Sequence, residues 1–382
     1  MRSILFIHDF AQMGGVEKAL FDLATGLDRE QFRAEVLLFE EGPLRALLQE
    51  QQLAVRQIRF PKQFLRARAG ANPVQVARFV LSLFHAAWKI NMVAKHVTLG
   101  RYETVVTNSL RAFLVTWVAL RLARARPKHL NCLHYILPER KTIYTRLLAF
   151  LMSKTDCLIC NSQATLERAC FHGITSRETR IIRQGFDRAR PNCSAPRGDY
   201  FIVGSAGRLD PVKNYEFIID TVALLKSRYP RIRVHIVGEA YTDNDRRYEA
   251  HLRAYIETSG MEDVVTLKGS TNDIWKFMDS LDVFMLASHI ESFGRVVAEA
   301  MWSGRAIVAA RVGAVPEMVL DGVTGYTFDP GDLQQAVNLL EYLITEPERA
   351  QYIGLTARSY AQENLSYRSY IAGWQSCLLG VN

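Results

Sequence analysis

No stretch of this 382-residue chain reaches the roughly 18 unbroken apolar residues of a membrane-spanning helix. Phe79–Ala94 comes nearest but is interrupted by His85 and Lys89. Ala112–Leu120 is short and runs into Arg121, Arg124 and Arg126. Both fit buried or interfacial helices better than spans. The apolar run after Arg2 stops at His8-Asp9, too soon for a signal peptide, and reads as a first buried strand. Cysteine is scarce, six residues, and gives no disulfide framework. Cys157 and Cys160 form a C-x-x-C, a spacing open to redox or metal chemistry. Leu158 and Ile159 between them are strand-like, and no second ligand pair follows, so the thiols read as reduced side chains of a cytosolic protein. Low-complexity tracts, zinc-finger spacings, RNP-like segments and helix-turn-helix patterns are also missing, which leaves nucleic-acid binding without a motif. No D-x-D stands in a metal-site context. Asp243-Asn-Asp245 reads as a solvated loop, and no metal is expected. Acidic residues are absent from positions 51–100, which hold eight basic ones.

That last absence is part of a wider asymmetry. Residues 1–200 carry 30 Lys and Arg against 16 Asp and Glu, whereas residues 201–382 carry 17 against 23. The N-terminal half is thus suited to an anionic partner, either nucleic acid or an anionic membrane face. About half of the chain is apolar (49%), and its length suits two domains, so a folded α/β enzyme is the natural class.

Short apolar runs alternate with helical patterns throughout. Ser3–Ile7, Ala34–Phe39, Thr104–Thr107, His129–His134 and Asp156–Asn161 read as strands, and Val16–Leu27 as a helix. Arg188–Gly198, with two prolines, a glycine and three arginines, reads as a linker. Beyond it the pattern restarts. Strands are expected at Tyr200–Ala206, Arg233–Val237, Val264–Leu267, Val283–Ala287 and Ala306–Ala310. Helices are expected at Asn214–Tyr229, Asp245–Ser259, Asp273–Ser280, Arg295–Ser303, Pro316–Leu320 and Leu333–Thr345. This alternation implies α/β architecture: two doubly wound parallel sheets facing a central cleft, with ligands at the carboxyl ends of the strands. The expected domains are residues 1–190 and 198–366, with a last helix near 367–382 crossing back to the first.

Two segments carry chemistry. Ser288–Met301 joins a strand to a helix through Gly294, and a helix N-terminus there offers free N–H groups to phosphate. Glu291 falls in the loop and Glu299 two turns into the helix, where carboxylates can hold sugar hydroxyls. Gly204–Tyr215 places Arg208 and Lys213 just after a strand, which suits a diphosphate leaving group. A solvated turn and an ordinary basic loop remain the plain alternatives. Gly14-Gly15 is a weak phosphate signal without a G-x-G-x-x-G.

Together these segments resemble the retaining glycosyltransferases of the GT-B fold, in the large fourth sequence family. Glu291–Glu299 matches the family's E-x7-E motif. Gly207-Arg208 with Lys213-Asn214 matches G-R-x-x-x-x-K-(N/G), and Gly14–Glu17 matches G-G-(V/A)-E. Gly313 with Val315–Glu317, and Asp321–Gly325, match the G-x-x-P-E and (D/H)-G-x-x-G turns. Asn161-Ser162 and Gln184–Asp187 occupy the places of two further strand-end signatures. The resemblance implies that Arg208 and Lys213 bind the donor diphosphate, that Glu291 meets the transferred sugar, and that Glu299 holds the ribose. Gly294, Arg295 and Val296 would supply backbone N–H groups, with Ser292 and Phe293 beside them. Gly15, Gly238 and Ser270 complete the donor set, and His134 would stand near the sugar's reacting face. His134 also reads as an ordinary hydrogen-bonded strand-end histidine. Arg295 replaces the usual leucine, Gln184-Gly-Phe186 replaces Asn-Gly-Val, and the second glycine of the V-G-x-G-P segment is missing after Gly238, which puts the donor's identity in question.

The implied reaction is transfer of a hexose or N-acetylhexosamine from a nucleotide diphosphate sugar, a UDP-sugar ahead of a GDP-sugar. No cofactor is expected. The resemblance implies retention, and since no protein nucleophile is evident, a front-face attack is favoured. For the acceptor, Arg59, Lys62, Arg66 and Arg68 surround Phe60, Phe64 and Leu65, a basic face with apolar anchors suited to an anionic membrane. A polyprenyl-diphosphate-linked glycan is therefore the leading acceptor, reached by a cytoplasmic enzyme peripheral to the inner membrane face. A solvated basic loop and a soluble small acceptor are the alternatives. A phosphorylase, an epimerase or a silent nucleic-acid-binding module are competing classes.

Overall fold

The structure, a computed structural model, describes residues 1–60, 73–186, 198–271 and 273–381, with the backbone alone described for 73–85. Most of the expected linker therefore lies outside the described residues.

The chain divides into two compact units. The first contains residues 1–161, 165–182 and 371–382, and the second residues 162–164 and 183–370. In chain order the first unit runs β1 (Arg2–His8), α1 (Gly15–Gly26), β2 (Phe32–Leu38), α2 (Pro43–Glu50), β3 (Ala54–Gln57) and α3 (Pro73–Gly100). There follow β4 (Thr104–Thr107), α4 (Leu110–Leu122), β5 (Lys128–Leu133), α5 (Ile143–Met152), β6 (Cys157–Cys160), α6 (Gln163–Phe171) and β7 (Glu178–Ile181). Its sheet is parallel, in the order β3-β2-β1-β4-β5-β6-β7.

The second unit runs β8 (Phe201–Ala206), α7 (Tyr215–Ala223), β9 (Ile232–Val237), α8 (Asp243–Thr258), β10 (Val265–Leu267) and α9 (Ile274–Asp279). Next come β11 (Val283–Leu286), α10 (Arg295–Trp302), β12 (Ala306–Ala310), β13 (Tyr326–Phe328), α11 (Leu333–Thr345) and α12 (Pro347–Asn364). Its sheet is also parallel, in the order β10-β9-β8-β11-β12-β13. The last helix, α13 (Tyr367–Leu379), enters the first unit at Ile371.

The central strands form because continuous apolar runs can be covered by helices on both faces. All residues of β11 and β12 are buried. They pack with Val297, Ala298 and Met301 of α10 in one core. Each fully buried Val, Leu, Ile or Phe there contributes roughly 1.5–3 kcal/mol. In the first unit, Leu5 and Ile7 of β1 meet Val93, Val97 and Val115 from α3 and α4. The C-terminal end of α13 is tied in by the Arg2 guanidinium, which donates to the Leu378 carbonyl at 2.9 Å. Cys157 lies in β6 with its sulfur 4.0 Å from that of Cys377, a contact that raises its pKa, and burial pushes the Cys160 thiol up to about 12. Cys157 and Cys160 are therefore protonated packing groups rather than nucleophiles.

Some elements differ from the expected ones. The helix after Lys213 starts at Tyr215, not Asn214, because Asn214 adopts a left-handed conformation (φ 51°) that ends a short 3-10 turn over Pro211–Lys213. Pro316–Leu320 is not a helix but a 3-10 turn over Val315–Glu317. Asp243 and Asp245 sit in the first turn of α8 instead of a loop. Asp245 is buried and accepts from the N–H groups of Tyr241 and Thr242, completing a capping box with Thr242. Among the described residues, no helix is long and apolar enough to cross a membrane.

Candidate functional site

In a doubly wound sheet, ligands bind where neighbouring strands send their connections in opposite directions. In the second unit that place lies between β8 and β11. The loops leaving these two strands hold the predicted cations and carboxylates. Lys213 follows β8 and Glu291 follows β11; the Lys213 ammonium donates to Glu291 Oε2 at 2.8 Å, with both side chains mostly buried. Backbone bonds fix the two loops to each other and to the next strand. His289 N–H donates to the Val212 carbonyl (2.8 Å), and Ala314 N–H to that of Glu291 (2.9 Å). Ser288, buried with an unpartnered hydroxyl, also stands at this strand end.

Arg208 is half-exposed and pairs with Asp210, with the buried Asp245 carboxylate 3.8 Å away. Asp210 also accepts from Val212 N–H, capping the 3-10 turn that carries Lys213. The loop backbone is crowded. A Cβ at Gly238 would lie 1.8 Å from the Gly207 carbonyl oxygen, so only glycine lets the strand ends approach this closely. The Tyr215 hydroxyl donates to that same carbonyl at 3.0 Å, and burial keeps the phenol protonated. Asp210 and Tyr215 were not singled out from the sequence, and Asp245 was noted only in a D-x-D read as a solvated loop. For Asp210 a signal existed: an Asp-Pro pair opening a helical turn.

Gly294 takes a left-handed conformation (φ 83°) and turns the chain into α10. Arg295 and Val296 form the first turn of α10, the part of a helix whose N–H groups can face an anion. Glu299 is buried, and its Oε1 accepts from Arg295 Nε at 3.0 Å. The Arg295 guanidinium lies 4.8 Å from the Phe186 ring centroid. Ser292 is partly exposed, Phe293 is buried and Ser270 lies exposed beyond β10. Glu291 and Glu299 therefore hold different cations and do not form an acid/base couple. This segment can bind anions and hydroxyls with charges already compensated in the free protein.

The first unit gathers polar groups at its own strand ends. Glu17 accepts from Gly14 N–H (3.0 Å) with one oxygen and bonds His8 Nε2 (2.7 Å) with the other, which explains why a glutamate follows the paired glycines. Gly15 opens α1 beside this bond. His134 Nε2 donates to Asn108 Oδ1 at 2.7 Å. Burial, aided by nearby His8, lowers the His134 pKa to about 3, so the ring stays neutral.

The basic stretch between Arg56 and Arg68 departs from expectation where it is described. Phe60 is not an exposed anchor: it is buried, with its ring 4.5 Å from that of Phe39. Arg59 is exposed and paired with Glu41, so its charge is locally compensated. Lys62, Phe64, Leu65, Arg66 and Arg68 lie outside the described residues, as does Asp187.

Comparison with known proteins follows the same division. Residues 189–360 match the family model of glycosyl transferases group 1, and residues 13–190 that of glycosyltransferase family 4. The human alpha-1,3/1,6-mannosyltransferase ALG2 is 23% identical over 401 residues, covering 96% of this chain and 93% of the relative. The D-inositol 3-phosphate glycosyltransferase of Arthrobacter sp. (strain FB24) is 30% identical over 177 residues. That match covers 46% of this chain and only 41% of the relative. Among solved structures, Anabaena HepE in complex with UDP and glucose superposes with a TM-score of 0.83 at 26% identity, over 100% of both chains.

Proposed function

This chain belongs to the group 1 glycosyltransferases and has their GT-B fold, two Rossmann-like α/β domains, and from that premise we propose that it moves a hexose or N-acetylhexosamine from a nucleotide diphosphate sugar to an acceptor hydroxyl. The observation that carries this reading is the Lys213–Glu291 pair over the β8/β11 switch point, with Arg208 beside it. The incoming diphosphate takes over the charge of Lys213 and Arg208. Glu291 is thereby released toward hydroxyls of the transferred sugar. The α10 N–H groups and Glu299 hold phosphate and ribose. A UDP-sugar is the favoured donor, supported by the UDP and glucose bound in HepE.

Transfer proceeds with retention and without a metal. The acceptor hydroxyl attacks the anomeric carbon on the face that the diphosphate leaves. The sugar–phosphate C–O bond breaks as the new glycosidic bond forms, and the hydroxyl proton passes to a phosphate oxygen. Arg208 and Lys213 stabilise the charge that grows on the leaving diphosphate, and such stabilisation counts only where it is stronger in the transition state. His134, neutral, contributes a hydrogen bond and not a charge near the sugar. The acceptor is a polyprenyl-diphosphate-linked glycan, met by a cytoplasmic enzyme at the inner membrane face; the basic N-terminal half supports this choice.

The test is a thermal-shift screen of UDP-, GDP- and ADP-sugars, repeated with Lys213→Ala. A UDP-sugar should stabilise the wild type, and the variant should lose most of that shift. Failure of all three donor classes would refute the donor site. Proton NMR of the product reads the anomeric configuration, and turnover in excess EDTA reads metal dependence; an inverted product or loss of turnover would overturn those two parts.

A further inference from the structure

Helix α5 buries one face and leaves an equally apolar face exposed. Leu148, Ala149 and Met152 point inward. Ile143, Leu147 and Phe150, spaced i, i+4 and i+7, form a stripe on the other side with 89%, 57% and 58% exposure. Tyr144 flanks the stripe. Phe171 of α6 is half-exposed, with the Arg168 guanidinium 5.7 Å from its ring centroid. Large exposed apolar patches mark interaction surfaces.

The charges around the stripe indicate which partner. Lys154 sits 5.2 Å from the Phe150 ring centroid, and Lys141 lies 4.5 Å from that of Phe171. Arg146 is exposed within the helix itself. None of these three cations pairs with a carboxylate among the described residues. Elsewhere on the chain Arg59, Arg208, Arg228 and Arg295 each have an acidic partner. Uncompensated ammonium and guanidinium groups flanking an exposed aliphatic-aromatic stripe complement a surface with apolar chains below and phosphates above.

We propose that the exposed face of α5 is the membrane-docking surface of the protein, with an anionic phospholipid bilayer as its occupant. The stripe enters the acyl boundary, and Lys141, Arg146 and Lys154 remain at the level of the lipid phosphates. It supplies exposed apolar anchors that the buried Phe60 does not. It gives the lipid-linked acceptor reading a physical means, and rests on that reading only for its purpose, since docking requires neither donor nor acceptor.

The full chain is floated with vesicles of phosphatidylglycerol and phosphatidylethanolamine, and separately with phosphatidylcholine. Wild type should float with the first and not with the second. Leu147→Glu with Phe150→Glu should cut the bound fraction about ten-fold or more. Lys141→Glu with Arg146→Glu and Lys154→Glu should do the same. An unchanged far-UV circular dichroism spectrum and cooperative melt certify that each variant is folded. As a milder probe, Phe150→Trp should add an emission component that moves to the blue with anionic vesicles. Four results would each overturn the proposal: wild type left in the soluble fraction, Leu147→Glu/Phe150→Glu floating normally, no blue shift from the Phe150→Trp variant, or a dimer that the double variant separates. Vesicle binding without any UDP-sugar response would support α5 docking while counting against the donor reading alone.

Discussion

At the carboxyl edge of the second sheet, charge is met by charge: Lys213 with Glu291, Arg208 with Asp210, Arg295 with Glu299. At the same edge of the first sheet, hydrogen-bonded groups stand beside a looser ion pair: His134 is held neutral against Asn108, Glu17 bonds His8, and Arg111 lies 3.5 Å from Asp9. The two units share one architecture and differ in what their strand ends can do. Paired ions can be exchanged for a polyanionic ligand without leaving a bare buried charge, whose cost is high. Neutral groups such as His134 can contact hydroxyls without competing for the phosphate. On the proposed reading the diphosphate goes to the second unit, whose paired cations it can take over.

Breaking the charged edge should have the largest effect. Lys213→Ala should lower the transfer rate by about 10²–10³-fold, as removal of one charge-stabilising donor does, with the fold kept and a lower melting temperature because Glu291 loses its partner. A fall in kcat/KM of less than about ten-fold would mean that Lys213 does not stabilise the leaving charge.

The buried neutral histidines of the first unit should show themselves in acid. Burial lowers the pKa of His129 to about 4 and of His134 to about 3. Below about 6.5 the unfolded chain therefore binds protons that the folded chain does not, so stability falls as pH drops and levels off near the folded values. His129 alone contributes roughly 1.4 kcal/mol of loss per pH unit in that window, and His134 acts in the same direction. Denaturant unfolding at pH 7, 6 and 5 measures the slope; His129→Gln should flatten it by about one proton.

The comparison is sharpened by Arg295→Leu, which supplies the family's usual residue. It removes the partner of a buried Glu299 and should cost about 1–3 kcal/mol of stability, partly recovered on adding UDP as the ribose hydroxyls bond the carboxylate. The smallest effect is expected at Arg59→Gln, which breaks an exposed pair and should change stability by less than about 1 kcal/mol.

Much of the fold can be read from sequence because its inner strands are unbroken apolar runs, as at Val283–Leu286 and Ala306–Ala310. The strands that sequence reading misses, β3, β7 and β13, all lie at sheet edges. An edge strand such as Ala54–Gln57, half exposed and carrying Arg56, has no apolar run to reveal it. Helix α12 is polar over much of its length and is missed for the same reason. In the candidate site, motif spacing singles out Lys213, Glu291 and Glu299 but not that Lys213 and Glu291 pair. The Lys213–Glu291 bond spans 78 residues of sequence, and only sheet topology brings it together. Phe60 misleads because a basic neighbourhood looks like an anchor until its ring is placed against Phe39.

Hydrogen-exchange mass spectrometry with and without UDP tests the division most directly. Protection on adding UDP should concentrate in the segments 207–215, 238–245 and 288–299 of the second unit. Protection confined to the first unit, or none in those segments at saturating UDP, would contradict it.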